Sequence, residues 1–184
     1  TFISKGLDIA FTRGMVCVNS AGNSGNDPWF YISAPADAIN ALAIGAVNAA
    51  GNYASFSSQG PSFDGRVKPD VVAQGQQSVL SSTSGNITTA SGTSFSGPIT
   101  AGMVACLWQA LPSATNAEIM QLIKQSASIY NNPTNELGYG IPDFSLALNS
   151  GLLKVNTVDQ QKFMVYPNPV VDSVSIAFPA GYED

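Results

Sequence analysis

The sequence predicts an α/β fold in which a parallel sheet is covered by helices on both faces. Short, wholly apolar runs alternate along the chain with longer segments of helical periodicity. The apolar runs lack the polar alternation of a half-solvated antiparallel sheet, which indicates strands buried on both faces. Their alternation with helices favours strand–helix–strand connections and therefore parallel pairing.

The predicted elements follow in a regular order. The first helix is expected at 1–13, where apolar residues share one side and Gly14 follows as a stop. Buried strands are expected at Met15–Asn19, Ala41–Val47 and Pro69–Ala73. The segment from Pro98 to Ala110 is apolar nearly all round, which predicts a central helix with Pro98 in its first turn.

The C-terminal third predicts two more helices and a change of character. Thr115 and Glu118 fit a capping box at the start of one helix, and a short last helix is expected through Leu148. The predicted domains are 1–150, a polar linker at 151–162, and a module at 163–184. That module reads as two strands around a proline turn, which is the beginning of a β-sandwich that stops before it closes.

Composition excludes two classes of function. Only 10% of the residues are charged and the formal net charge is −5, so no basic patch is available for nucleic acid. No apolar run approaches the roughly 18 residues of a membrane span. Cys17 and Cys106 lie in apolar runs, which predicts two buried free thiols, with a disulfide between them as the alternative. The chain opens at Thr1 inside a helical pattern, so we expect that an N-terminal part is missing.

Two loops carry residues suited to chemistry. The loop Ser20–Gly25 follows the first buried strand, and Ser94 precedes the apolar helix. In a parallel sheet, the carboxyl ends of strands and the amino ends of helices face one crevice, so Asn23 and Ser94 are expected to share a cleft. The positive end of the helix favours negative charge near Ser94, and an asparagine amide is a suitable oxyanion donor.

Blander interpretations of the same residues stay open at this point. A glycine- and asparagine-rich loop is usually a tight turn, and a serine at a helix start is usually an N-cap. A serine nucleophile also needs a base, most often histidine, and the chain contains no histidine. The residues alone therefore indicate only half of an acyl-transfer site.

Longer segments carry a family resemblance. Gly92-Thr93-Ser94-Phe95-Ser96-Gly97-Pro98 resembles the nucleophile segment of the subtilisin-like serine proteases (subtilases, peptidase family S8), and Ala21–Gly25 resembles their oxyanion-asparagine loop. Further segments match the family in order, namely Ile44–Val47, Ala54–Pro61, Lys68–Ala73 and Tyr139–Asp143. The resemblance covers roughly residues 1–149.

The resemblance implies a role for each matching residue. Ser94 would be the acylating nucleophile, and the Asn23 side chain and the Ser94 backbone N–H would be the oxyanion donors. One wall of the substrate pocket would be lined by Ser20, Ala21 and Gly22. Ser33 would lie near the base of the pocket, and Pro35 falls at a position that is often cis in this family.

The family's other catalytic residues are expected before the start of this chain. Subtilisins place their aspartate and histidine ahead of the serine, which puts both upstream of Thr1. We therefore expect the C-terminal half of a serine endopeptidase that hydrolyses peptide or protein substrates, inactive on its own. A non-catalytic binding or adhesion protein on the same scaffold is the alternative. No cofactor is identified; the resemblance allows calcium, although no run of ligating carboxylates is present.

The tail carries a second resemblance. Val165–Val170 followed by Asp172–Ile176 resembles the start of the C-terminal sorting module of the type IX secretion system of Bacteroidetes-type bacteria. This resemblance implies a secreted or cell-surface protein that is a partner of that secretion machinery. The alternative is an ordinary β-sandwich appendage.

Overall fold

A three-stranded parallel sheet forms the framework of the first part of the chain, residues 1–151. The computed structural model describes residues 1–155, 164–166 and 175–177. The sheet contains β1 (Cys17–Ser20), β2 (Ala41–Val47) and β3 (Val71–Gln74) in that spatial order. The helices are α1 (Phe2–Thr12), α2 (Thr93–Ala110), α3 (Asn116–Gln125) and α4 (Phe144–Val155). The predicted α/β class, a parallel sheet with helices, is confirmed.

The middle strand is buried along its whole length. Every residue of β2 is buried, as expected for an apolar strand paired on both edges. Leu42 and Ile44 contribute to the main core, which also contains Val71 of β3 and buried side chains of α2 and α3. Ala43 points to the opposite face, because successive side chains alternate along a strand. On that face it packs with Ala21, Ile32 and Ala36, which come from the segment between β1 and β2.

Helix α3 begins with the predicted cap. The Thr115 hydroxyl oxygen accepts a hydrogen bond from the Glu118 backbone N–H at 3.2 Å, and the Glu118 carboxylate accepts from the Thr115 backbone N–H at 2.8 Å. This reciprocal pair is the capping box that the sequence predicts. The spacing of the two residues was sufficient to place the helix start.

Helix α2 begins earlier than predicted. It starts at Thr93 rather than at Pro98, so Ser94 lies in its first turn and Pro98 lies inside the helix. Pro98 has no N–H and therefore donates nothing to the Ser94 carbonyl one turn before it. The preference of proline for the first turn was a misleading signal here.

One side of α2 is exposed, against the expectation of a fully central helix. Val104 and Leu107 are buried in the main core, whereas Ile99 is 48% exposed and Met103 is 42% exposed. Cys106 is also exposed and Cys17 is only half-buried, so the prediction of two buried thiols is wrong, although both are free. An apolar outer face made the sequence of α2 read as buried on every side.

The last helix runs further than predicted. Helix α4 continues to Val155, so the prediction of a linker is wrong for residues 151–155. Gly151 lies inside the helix and allows close packing, because a Cβ there would lie 2.4 Å from Leu111 Cδ1. Residues 156–162 of the predicted linker lie outside the described residues.

The chain forms two compact units, Thr1–Gly151 and Leu152–Asp184. In the second unit, β6 (Met164–Tyr166) pairs antiparallel with β7 (Ser175–Ala177). Both strands fall where the sequence predicts strands. The rest of the module predicted at 163–184 lies outside the described residues, so its β-sandwich character stays a prediction.

Candidate active site

The loop after β1 and the start of α2 meet at the carboxyl edge of the sheet. Ser20, the last residue of β1, donates its hydroxyl to the Thr93 carbonyl at 2.9 Å. The Gly22 backbone N–H donates to the Thr93 hydroxyl oxygen at 3.2 Å. These contacts bring together two segments about 70 residues apart in the chain. This is expected, because the carboxyl ends of parallel strands and the amino ends of helices face one crevice.

The Asn23 side chain is oriented by Thr93. Its Oδ1 accepts hydrogen bonds from the Thr93 backbone N–H at 2.9 Å and from the Thr93 hydroxyl at 3.0 Å. Both bonds engage the amide oxygen, so it is the amide nitrogen that Asn23 presents at the surface beside Gly92. A Cβ built on Gly92 would lie 3.6 Å from Asn23 Nδ2. The amide nitrogen is therefore held close to Gly92, the residue that caps α2.

Ser94 is exposed in the first turn of α2. Backbone N–H groups in a first turn have no intrahelical acceptor, and the helix dipole adds partial positive charge at the same place. Gly92 caps the helix with φ +154° and ψ 153°, a conformation that is essentially restricted to glycine. This cap turns the chain sharply into the helix and leaves the Ser94 side chain accessible.

The predicted pocket residues fall into two groups. The Ala21 side chain is buried in the small core cluster, and the Ser20 hydroxyl is bonded to α2, so both anchor the wall through their side chains. Gly22 has φ +113°, and a Cβ there would lie 2.7 Å from Ser58 Oγ. There is no room for a side chain at this position, so Gly22 can contribute only its backbone to the wall. The contribution of these three residues to substrate binding stays a prediction.

The segment that contains Ser33 is joined by backbone hydrogen bonds to the wall formed by residues 20–22. Ser33 is exposed, and it precedes the cis peptide bond between Ala34 and Pro35 that the resemblance implied. The residue before it, Ile32, donates its N–H to the Gln59 carbonyl at 2.7 Å. The neighbouring Ser58 N–H donates to the Gly22 carbonyl at 2.9 Å. Segments around Gly22, Ser58 and Ser33 thus run side by side, although the role of Ser33 stays a prediction.

Sequence reasoning missed Thr93. Its side chain is 1% exposed and its hydroxyl, backbone N–H and carbonyl all bond to the loop after β1. The available signal was a hydroxyl residue directly before the exposed serine. Thr93 is the residue that sets the position of Asn23 relative to Ser94.

The arrangement can stabilise an oxyanion but holds no base. An exposed serine hydroxyl and an amide donor are present, whereas no histidine exists anywhere in the sequence. In the described part of the chain, the groups with shifted pKa values make no hydrogen bond to Asn23, Thr93 or Ser94. They are Cys17, Tyr53, Asp64, Lys68 and Tyr139. Nor do the described residues gather three or more Cys, Asp or Glu side chains that could hold a metal ion.

Comparison with known proteins gives one consistent result. The model of the Subtilase family matches residues 2–140. The M-protease of Shouchella clausii is 33% identical over 139 residues, which is 76% of this chain and 34% of that protein. Subtilisin BL of Lederbergia lenta is 32% identical over 139 residues, which is 76% of this chain and 48% of that protein. The chain thus spans less than half the length of either relative.

Solved structures agree on the fold. The self-cleaved protease domain of PatA superposes with a TM-score of 0.70 at 23% sequence identity, covering 83% of this chain and 56% of that one. At this identity the likeness concerns the fold alone. Separately, none of the helices in the described ranges has the length and hydrophobicity needed to cross a membrane.

Proposed function

This chain belongs to the Subtilase family, and on that premise we propose that it is the C-terminal half of the catalytic domain of a secreted serine endopeptidase. The protein hydrolyses peptide bonds in peptide or protein substrates through an acyl-enzyme on Ser94. The observation that carries this proposal is the orientation of the Asn23 amide by Thr93, directly beside the exposed Ser94.

The chemistry assigned to these residues is acyl transfer. Ser94 Oγ attacks the carbonyl carbon of the scissile bond, and negative charge develops on the carbonyl oxygen. Asn23 Nδ2 and the Ser94 backbone N–H donate to that oxygen as the charge forms. Removal of the oxyanion asparagine from a subtilisin, a member of this same family, lowers kcat by about 10²–10³-fold, and that known magnitude is carried over here.

The base that activates Ser94 is assigned to sequence outside this chain. The family's order of aspartate, histidine and then serine puts both partners before Thr1 in the longer protein that we propose. Two observations support this assignment: the chain lacks histidine, and it spans less than half the length of the relatives described above. The 184-residue chain alone is expected to retain only the small residual rate that an oxyanion site gives without its base.

An active-site probe tests the proposal. A fluorophosphonate should label the protein at its natural length on Ser94, should fail to label the Ser94→Ala variant, and should leave the 184-residue chain unlabelled. Peptide mapping locates the modified residue. Labelling that persists in Ser94→Ala would contradict the assignment. A natural-length protein that binds peptides but is never labelled would instead indicate the non-catalytic binding protein.

Export through the type IX secretion system is the second part of the proposal. It is supported by the resemblance of the segment Val165–Ile176 to that system's sorting module. A natural-length protein that lacks residues 163–184 should remain in the periplasm of a Bacteroidetes-type host, whereas the intact protein should reach the medium or the cell surface. Equal release of both forms would refute this part alone and leave the peptidase proposal standing.

A further inference from the structure

A buried lysine outside the active site donates hydrogen bonds to a backbone carbonyl and a carboxylate. The Lys68 side chain is 2% exposed, and its ammonium donates to the Ala41 carbonyl at 2.7 Å and to Asp70 Oδ2 at 2.6 Å. Asp70 is also buried, and the same carboxylate oxygen accepts the Ala43 backbone N–H at 2.8 Å. A fully buried lysine is rare, and it needs a paired carboxylate and satisfied hydrogen bonds to be tolerated.

Arg66, two residues before Lys68, also donates to backbone carbonyls. Its Nη2 donates to the Asp37 carbonyl at 2.6 Å and its Nη1 donates to the Ala38 carbonyl at 3.2 Å. Arg66 and Lys68 are two residues apart in the chain, and the carbonyls that they bind belong to one five-residue segment, 37–41. We call the carbonyl oxygens of residues 37, 38 and 41 and the Asp70 carboxylate the oxygen cluster.

Backbone carbonyls combined with a carboxylate are the ligands that calcium prefers. Calcium takes six to eight oxygen ligands at about 2.3–2.6 Å. In this chain the Lys68 nitrogen already stands at comparable distances from two of the oxygens, and it carries positive charge. The oxygen cluster therefore does not fit a calcium ion, even though the family resemblance allows one.

The charge balance of the site depends on Asp70. Burial lowers the pKa of Lys68, and the charge of Asp70 and its hydrogen bond oppose that shift. Lys124 lies on the other side of the carboxylate, 3.9 Å from Oδ1, and is partly exposed. The buried carboxylate thus holds one cation tightly and a second one loosely.

We propose that the side chains of Lys68 and Arg66 replace a hard metal ion in the oxygen cluster. Their contacts hold the segment from Asp37 to Ala41, which leads into β2, in place shortly after the cis bond to Pro35. The segment is therefore fixed without a metal. Removal of the ammonium opens a site for calcium, with the Ala41 carbonyl and the Asp70 carboxylate as ligands.

Thermal unfolding of Lys68→Ala tests this at the protein's natural length. In EDTA the variant should lose about 10 °C in Tm, because it leaves a buried carboxylate without its cation. Calcium chloride at ~10 mM should return about 4 °C if the opened site binds with a Kd of ~1 mM. The matched control is Lys124→Ala, which removes a lysine beside the same carboxylate and should respond to calcium as the wild type does.

A second set of variants covers a failure to fold. Lys68→Met keeps most of the buried stem and should also gain a calcium response, and adding Asp70→Asn to either variant should abolish the gain. The proposal is overturned if a folded Lys68 variant responds to calcium no more than the wild type does. It is equally overturned if neither variant folds in calcium, or if the wild type shows a calcium stabilisation that Asp70→Asn removes.

Discussion

Replacing Thr93 with valine removes one hydroxyl and leaves the shape of the side chain almost unchanged. The hydroxyl donates to Asn23 Oδ1 at 3.0 Å and accepts from the Gly22 N–H at 3.2 Å. Thr93→Val therefore leaves the Asn23 amide with one of its two anchors, the Thr93 backbone N–H at 2.9 Å. Thr93→Val thus keeps the Asn23 amide in the site but weakens the contacts that orient it.

The loss can be given a magnitude. A hydrogen bond contributes about 0.5–1.5 kcal/mol net, and an unpaired donor in a partly buried place costs about 1–3 kcal/mol. We expect Thr93→Val to raise the barrier by about 1–2 kcal/mol, which is about a 5–30-fold loss in kcat. The KM should change little, because the oxyanion exists in the transition state and not in the bound substrate.

The assay is steady-state hydrolysis of a chromogenic peptide by the protein at its natural length. Thr93→Ser keeps the hydroxyl and should recover most of the rate. Thr100→Val is the matched control, because it removes a buried hydroxyl from the same helix whose bond runs to the Ser96 carbonyl at 3.0 Å. Equal losses of kcat in the two valine variants, or an unchanged kcat in Thr93→Val, would refute the role of Thr93.

Two further predictions concern stability and charge. Gly22→Ala should lower the free energy of unfolding by about 2 kcal/mol, because its φ is +113° and the new Cβ meets Ser58 Oγ at 2.7 Å. The control is Gly6→Ala in α1, where a new Cβ would have no neighbour within 4 Å, and it should raise the free energy of unfolding by about 0.5–1 kcal/mol. Urea unfolding measures both changes. Similar losses of stability in the two variants would contradict the argument. The hydrogen bond from Arg66 lowers the pKa of Asp64 to about 2. This depressed pKa favours folding above pH ~4, an effect lost as the pH falls toward 2. Arg66→Gln should return the pKa toward 3.8 in an NMR titration, and an unmoved pKa would exclude the contact.

Local chemistry made several elements predictable from the sequence. The seven residues of β2 were predicted at their observed bounds, because a run with no polar side chain has one stable place in a parallel sheet. The capping box of α3 was predictable because both partners lie within one turn. The meeting of Asn23 and Ser94 at one edge followed from the direction of parallel strands alone.

The remaining features depend on contacts that no local pattern shows. The hairpin of β4 (Ser78–Ser81) and β5 (Ile87–Ala90) was not predicted, because its serine- and threonine-rich strands read as loop. The start of α2 was misplaced because Pro98 is tolerated inside the helix. The burial of Lys68 was not predicted, because its partners include the Ala41 carbonyl, which lies 27 residues away in the chain.

The exposed side of α2 illustrates the same limit. A helix that is apolar all round predicts partners on every side, yet Ile99 and Met103 are exposed in this chain. The pattern shows how apolar the helix is, and the structure buries only the side that faces the sheet. In the longer protein that we propose, the upstream half of the domain packs against this exposed side of α2. Ile99→Asp should therefore weaken the packing between the upstream half and the half that contains α2.

The two bonds from Thr93 to Asn23 also determine where the amide is held. The Asn23 backbone belongs to the loop after β1, whereas its amide oxygen is bonded to the residue that directly precedes Ser94. The position of the amide is therefore set by the first turn of α2 as well as by its own loop. In the enzyme that we propose, a single residue of the helix thus fixes the spacing between the nucleophile and the group that stabilises the developing charge.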